Sequence, residues 1–168
     1  FTRRMTTRTQ RPLVAAVPWG EADLLLGWDP PETLRAIDHR VRLQVASVDR
    51  TVAIANSGLL DASGQQGDLV DALGAHCVDG AGMVADFAAL AAYRFHNERL
   101  GDLVQVGVAF QQGLIPVSLD AMLVGIAALE PLGFARSSEA FEFGRQLALL
   151  PEAQRVPSTE GEPEPTGR

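Results

Sequence analysis

Two apolar runs of strand length, each closing on a polar turn, constrain the fold of this chain more than any other feature. Ala22-Asp23-Leu24-Leu25-Leu26-Gly27 is almost continuously hydrophobic, as in a strand buried on both faces of a parallel sheet. Asp29 then stands where a helix N-cap belongs. Pro30 or Pro31 fits the first helical position, where a missing N–H costs nothing. Leu34, Ile37, Val41, Val45 and Val48 follow at steps of three and four, one helical face. The alternation Val41, Leu43, Val45 also suits a strand, which would end that helix early. Asp49-Arg50 gives a turn, and Thr51-Val52-Ala53-Ile54-Ala55 is β-branched strand sequence ending at Asn56-Ser57-Gly58. Two βα units in succession imply the α/β class: a mainly parallel sheet between helices, in three α/β/α layers.

The rest of the chain reads less regularly. Pro12 to Pro18 is short, apolar and bounded by prolines, a further strand. Residues 61–67 are polar and glycine-rich, a loop; a short helix is expected over 68–73 and a weak strand over Ala75-His76-Cys77-Val78. From Gly82 the pattern turns helical. Met83, Val84, Phe87, Leu90 and Ala91 trace one face, and Leu100, Leu103, Val104, Gly107, Val108 and Gln111 a second. Pro116 breaks the pattern and Ser118 is a good N-cap. Met122, Leu123, Ile126 and Leu129 resume it, and Ser137 or Ser138 opens a last helix. One domain is expected over residues 1–150, helical towards its C-terminus. Residues 151–168, rich in Pro and Glu with almost nothing apolar, read as a disordered acidic tail.

Charge and cysteine usage exclude several classes. The formal net charge of −7 argues against a nucleic-acid binder, whose affinity rests on neutralising phosphates. All 14 basic residues are arginine, which reads as codon usage in a GC-rich genome. Arg3, Arg4, Arg8 and Arg11 cluster near the start, most simply as an exposed edge or an interface. One cysteine, Cys77, forms no internal disulfide and cannot ligate an iron–sulfur cluster. Its neighbour His76 would point to the opposite face of a strand, poor geometry for joint chelation. A reducing, cytoplasmic setting fits, with no membrane span. The start, Phe1-Thr2-Arg3-Arg4-Met5, has neither an initiator Met nor a secretory signal and reads as a fragment or an internal start.

Gly80-Ala81-Gly82-Met83-Val84-Ala85 satisfies G-x-G-x-x-A, a nucleotide-binding alternative. That pattern binds dinucleotides only when it follows a buried strand and opens a helix, with an acidic residue about 20 positions on. The preceding strand is weak and the acids Glu98 and Asp102 fall in helical sequence, so a turn into a helix is the plainer account. Ser57 follows a strand, yet no histidine is placed to serve as its base. Asp68 with Asp71, and Glu139 with Glu142, read as solvated helix faces. Asn56 and Ser57, at the carboxyl end of a strand, mark where an open parallel sheet contacts ligands or partners; a turn-forming Asn-Ser-Gly is the plainer reading. Gly107 inside a helix costs about 1 kcal/mol against Ala, which a close approach of another element would explain. Gly113 before Leu-Ile-Pro looks like a helix stop.

Several of these segments form an ordered series. Leu100-Gly101-Asp102, Gly107 to Pro116, Ser118-Leu119-Asp120-Ala121-Met122-Leu123-Val124-Gly125-Ile126 and Ala140-Phe141-Glu142-Phe143-Gly144-Arg145 resemble the end of the gamma domain of 2-oxoacid:ferredoxin oxidoreductases, especially the indolepyruvate type. Gly20 to Gly27 with Asp29-Pro30, and the strand ending Asn56-Ser57, are similar to that family's upstream units, so the likeness spans residues 12–148. It implies an accessory α/β domain, its first strands and glycine-rich opening preceding Phe1. Such a domain packs on thiamine-binding partner domains that oxidatively decarboxylate a 2-oxoacid, pyruvate- or indolepyruvate-like, and pass electrons to ferredoxin. Thiamine diphosphate, Mg and iron–sulfur clusters are then expected in those partners, and no cofactor or catalytic residue in this chain. Asn56 and Ser57 are the candidates for contact with substrate or CoA. Leu103-Val104-Gln105 and Glu130-Pro131-Leu132-Gly133 depart from the family's pattern and imply a divergent subgroup.

Overall fold

The computed structural model describes residues 17–38, 40, 44–58, 65–132 and 134–150. The strand expected over Pro12 to Pro18 lies outside these up to residue 16. So do the early arginine cluster and the tail over 151–168.

The second β-branched run forms the middle of the sheet. Strand β2 (Val52–Asn56) has β1 (Leu24–Gly27) on one side and β3 (Met83–Ala85) on the other, both parallel to it. Leu24 to Gly27 pair with Val52 to Ala55, and Ile54 to Asn56 with Met83 to Ala85. Ala53, Ile54 and Ala55 are buried, as a strand covered on both faces requires. The leucine run of β1 reads as central but, among the described residues, sits at an edge of the sheet, and its leucines are only half-buried. Among the described residues the chain is α/β, as its βα units imply.

Alternation along the strands sorts the core into two clusters, as side chains of period two must. Leu25, Ala53, Ala55 and Val84 pack with Leu34 and Ile37 of α1 (Pro30–Ile37) and with Leu69 and Leu73 of α2 (Gln65–His76). Leu24, Leu26, Ile54 and Ala85 pack in the larger cluster. It takes in Phe87 and Leu90 of α3 (Phe87–Phe95), Val104 and Val108 of α4 (Gly101–Gln111), Ile126 of α5 (Leu119–Ala127) and Phe141 and Leu147 of α6 (Ser137–Leu149).

Local signals explain most of the boundaries. Asp29 Oδ1 accepts from Glu32 N at 3.0 Å, with Pro30 and Pro31 opening α1. Ser118 Oγ caps α5 through Ala121 N. Gly113, at φ +75°, stops α4. Its N–H donates to Phe110 O and the Leu114 N–H to Ala109 O, the paired bonds of a Schellman motif. Ser137 opens α6 without capping it; Arg136 holds that position at φ 68° while Ser137 Oγ donates to Phe134 O.

Three expectations fail, each for an identifiable reason. Helix α1 stops at Ile37, and over 44–47 the chain is neither helix nor strand: Val45 N donates to Ala36 O, and Ala22 N to Val45 O. Of the alternation noted there, residues 41–43 lie outside the described residues, and Val45 is in neither helix nor strand. Residues Ala75 and His76 are the end of a twelve-residue α2 that begins at Gln65, and Cys77 N still donates to Leu73 O at 2.8 Å. The first half of the weak strand and part of the expected loop are therefore helix. Finally, Gly80 to Ala85 is a turn into strand β3, not into a helix. Met83 and Phe87 lie on consecutive elements whose separation happens to equal one helical turn.

The candidate site at the carboxyl rim of the sheet

The carboxyl ends of the strands are where an open parallel sheet presents ligands, and Asn56 stands there at the end of β2. Its side chain spans all three strands. Nδ2 donates to Trp28 O, just past β1, at 3.4 Å; Oδ1 accepts from Gly58 N at 3.4 Å and from Phe87 N, the first residue of α3 after β3, at 3.1 Å. Ser57 N donates to Ala85 O at 3.0 Å, and the Ser57 side chain is fully buried. The structure thus brings the two sequence candidates to the rim, where Asn56 acts as a clasp on backbone and Ser57 is sealed beneath it.

Helix starts at this rim decide what it can hold. A helix N-terminus binds anions through its free N–H groups. In α1 the first two residues are prolines, Glu32 N is taken by Asp29 Oδ1 and Thr33 N by Asp29 O. In α3, Phe87 N goes to Asn56, Ala89 N to Asp86 Oδ1 at 2.7 Å, and Leu90 N to Asp86 O. Two carboxylates, Asp29 and Asp86, occupy the ends of α1 and α3. These carboxylates take up donors at the starts of α1 and α3, while residues 59–64, which lead from β2 into α2, lie outside the described residues.

The glycine pattern fares no better as a nucleotide cradle. Gly80, at φ +65°, turns the chain towards β3. Gly82 admits no side chain, since a Cβ there would lie 2.1 Å from Ala53 O. The order is helix, turn, strand, so no helix opens directly from the glycines. Beside them a depression of about 340 Å³ opens between α2 and β3, lined by Val70, Leu73, Cys77 and Val84. Cys77 is buried, and desolvation pushes its thiol up to about 11. His76 lies apart from it chemically, with Nδ1 against Ala72 O at 2.9 Å. Among the described residues no group of three or more His, Cys, Asp or Glu side chains is placed to hold a metal ion, and no helix is long and apolar enough to cross a membrane.

One residue that the sequence marks only as part of a departure from the family pattern has a structural role that the sequence does not show. Gln105 is fully buried on α4, and its Nε2 donates to Gly27 O at 3.0 Å and to Ile54 O at 2.7 Å. Two carbonyls fix which atom is the nitrogen, because reversing the amide would set oxygen against oxygen. Its Oε1 is buried without a partner among the described residues. The helical period places Gln105 among apolar neighbours but carries no sign of strands 51 and 78 positions away.

Helices α4 and α6 approach backbone to backbone. A Cβ on Gly107 would lie 2.1 Å from Phe141 O, and one on Gly144 would lie 1.9 Å from Val104 O. The close approach expected at Gly107 is therefore a helix–helix contact, matched from the other side by Gly144. Compared with protein-family models, with curated proteins and with solved structures, the chain matches none.

Proposed function

We propose that this chain is a gamma-type accessory domain of a thiamine-diphosphate-dependent 2-oxoacid:acceptor oxidoreductase. In this reading it completes the enzyme by packing, while the thiamine, metal and iron–sulfur chemistry belongs to partner polypeptide. The observation that carries the proposal is the placement of the motif glycines. Gly107 and Gly144, from two separate segments of the ordered series, meet across one helix contact. Two positions of the series thus depend on one another in packing, which supports reading those segments together.

The surface supports a partner. Helix α5 is apolar along most of its length, yet Ile126 is its only buried residue and Val124 is 73% exposed. Nearby in sequence Leu132 is also 73% exposed. Exposed apolar surface of this kind marks contact faces. Asn56 and Ser57, at the carboxyl rim, remain in this reading the candidates for contact with substrate or CoA.

The test is reconstitution with the polypeptides encoded beside it. Expressed together and supplied with thiamine diphosphate, Mg²⁺, CoA and a viologen dye, they should reduce the dye with pyruvate or indolepyruvate, and omission of this chain should abolish that activity. Turnover by the chain unaided would refute the assignment. So would a native complex that contains no thiamine diphosphate.

A further inference from the structure

We propose that the Asp79-Gly80 bond is a built-in site of spontaneous modification, where the chain converts aspartate to isoaspartate. The reaction needs a side-chain carboxyl with freedom to turn, and a following amide nitrogen that is neither screened by a side chain nor held in a hydrogen bond. Asp79-Gly80 is the only Asp-Gly in the sequence, and Asn-Gly does not occur. Both residues are exposed in the turn between α2 and β3. Asp79 has no hydrogen bond or ion pair among the described residues, and the Gly80 N–H has no backbone acceptor among them. Gly80 sits at φ +65° with no atom within 4 Å of where a Cβ would be.

The chemistry balances with water alone. Gly80 N bonds to Asp79 Cγ; the Cγ–OH bond breaks, and that hydroxyl leaves as water with the former amide proton. The resulting five-membered imide takes water back at either carbonyl. Opening at Cγ restores aspartate. Opening at the main-chain carbonyl leaves the peptide running through the side chain, one methylene longer, with a free α-carboxylate.

The other reactive pair supplies an internal contrast. Asn56-Ser57 has the same potential for ring closure, but Asn56 is tied to Trp28, Gly58 and Phe87, and Ser57 N is spent on Ala85 O. The attacking nitrogen and the acceptor carbon are both held. Position also gives the change at Asp79 a consequence. The turn delivers Gly82 against Ala53 O with no room for even a Cβ, so a lengthened backbone disturbs the pairing of β3.

The experiment ages the whole chain at neutral pH and physiological temperature. Isoaspartate is followed by enzymatic methylation and located by fragmentation mass spectrometry. Isoaspartate should accumulate at Asp79 ahead of every other Asp or Asn, and the melting temperature should fall in step. Asp79→Glu should abolish the signal, and Asp79→Asn should speed it, with ammonia lost in place of water. In urea, Asn56-Ser57 should begin to react as its clasp opens. The proposal fails if the folded chain forms isoaspartate no faster at Asp79 than elsewhere, if Asn56 reacts first, or if Asp79→Glu leaves the signal intact.

Discussion

Replacing Gly144 by alanine tests the α4–α6 contact on which the back of the domain depends. The added methyl would lie 1.9 Å from Val104 O and 2.8 Å from the carbon that bears it. Ordinary contact begins at roughly 3.5 Å, so the helices must part by more than an ångström. A main-chain carbonyl cannot rotate aside as a side chain can, which puts the overpacking cost near about 3 kcal/mol. Alanine returns about 1 kcal/mol of helix propensity. The net loss is about 2 kcal/mol, a fall in Tm of roughly 4–8 °C for a chain of this size. Gly125→Ala is the control, because no atom lies within 4 Å of a Cβ at that position on α5. There only the propensity gain remains, and stability should rise by about 0.5–1 kcal/mol. Urea titrations of the two variants and the parent give the comparison. The reasoning is refuted if Gly144→Ala matches the parent, or if both variants shift in the same direction.

Three further outcomes follow from the rim and the core. Asn56→Ala removes the bonds to Trp28, Gly58 and Phe87 and should cost about 1–3 kcal/mol in urea unfolding; an unchanged midpoint would deny the clasp. Gln105→Glu sets a carboxyl oxygen against the carbonyls of Gly27 and Ile54, whereas Gln105→Leu also removes the unpartnered Oε1. The glutamate should be the worse of the two, by at least about 1 kcal/mol, in thermal melts at neutral pH. Cys77, ordinarily at 9.0 and raised to about 11 by burial, keeps its proton when folded and loses it first when unfolded. Stability should therefore fall as pH climbs across that window, and Cys77→Ala should remove that part of the slope.

What the sequence displays plainly is whatever depends on neighbours along the chain. The caps at Asp29 and Ser118, the stop at Gly113 and the strand Thr51 to Ala55 all rest on such contacts, and all are readable in advance. Gly107 is legible as a position needing close approach, though not what approaches it. Strand β3 is hidden because three residues carry too little periodicity, and Met83 with Phe87 imitates a helical step across the cap Asp86. The end of α2 is misleading because Ala75 to Val78 has a strand's composition, while Cys77 is drawn inward by the core around Leu73. The site is the least legible part. An Asn at a strand end reads alike as ligand contact or as clasp, and the clasp's partners Trp28 and Phe87 are too distant in sequence to be foreseen.

The glycines that face each other across α4 and α6 have a mechanical consequence. Helices held apart by bulky side chains can slide, since those side chains repack as they go. Here each backbone seats in the notch left by the other, so a shift along either axis would drive a neighbouring side chain into a carbonyl. The pair should consequently carry a push on one end to the other without yielding, as a rod does, with Gln105 fastening that rod to the sheet.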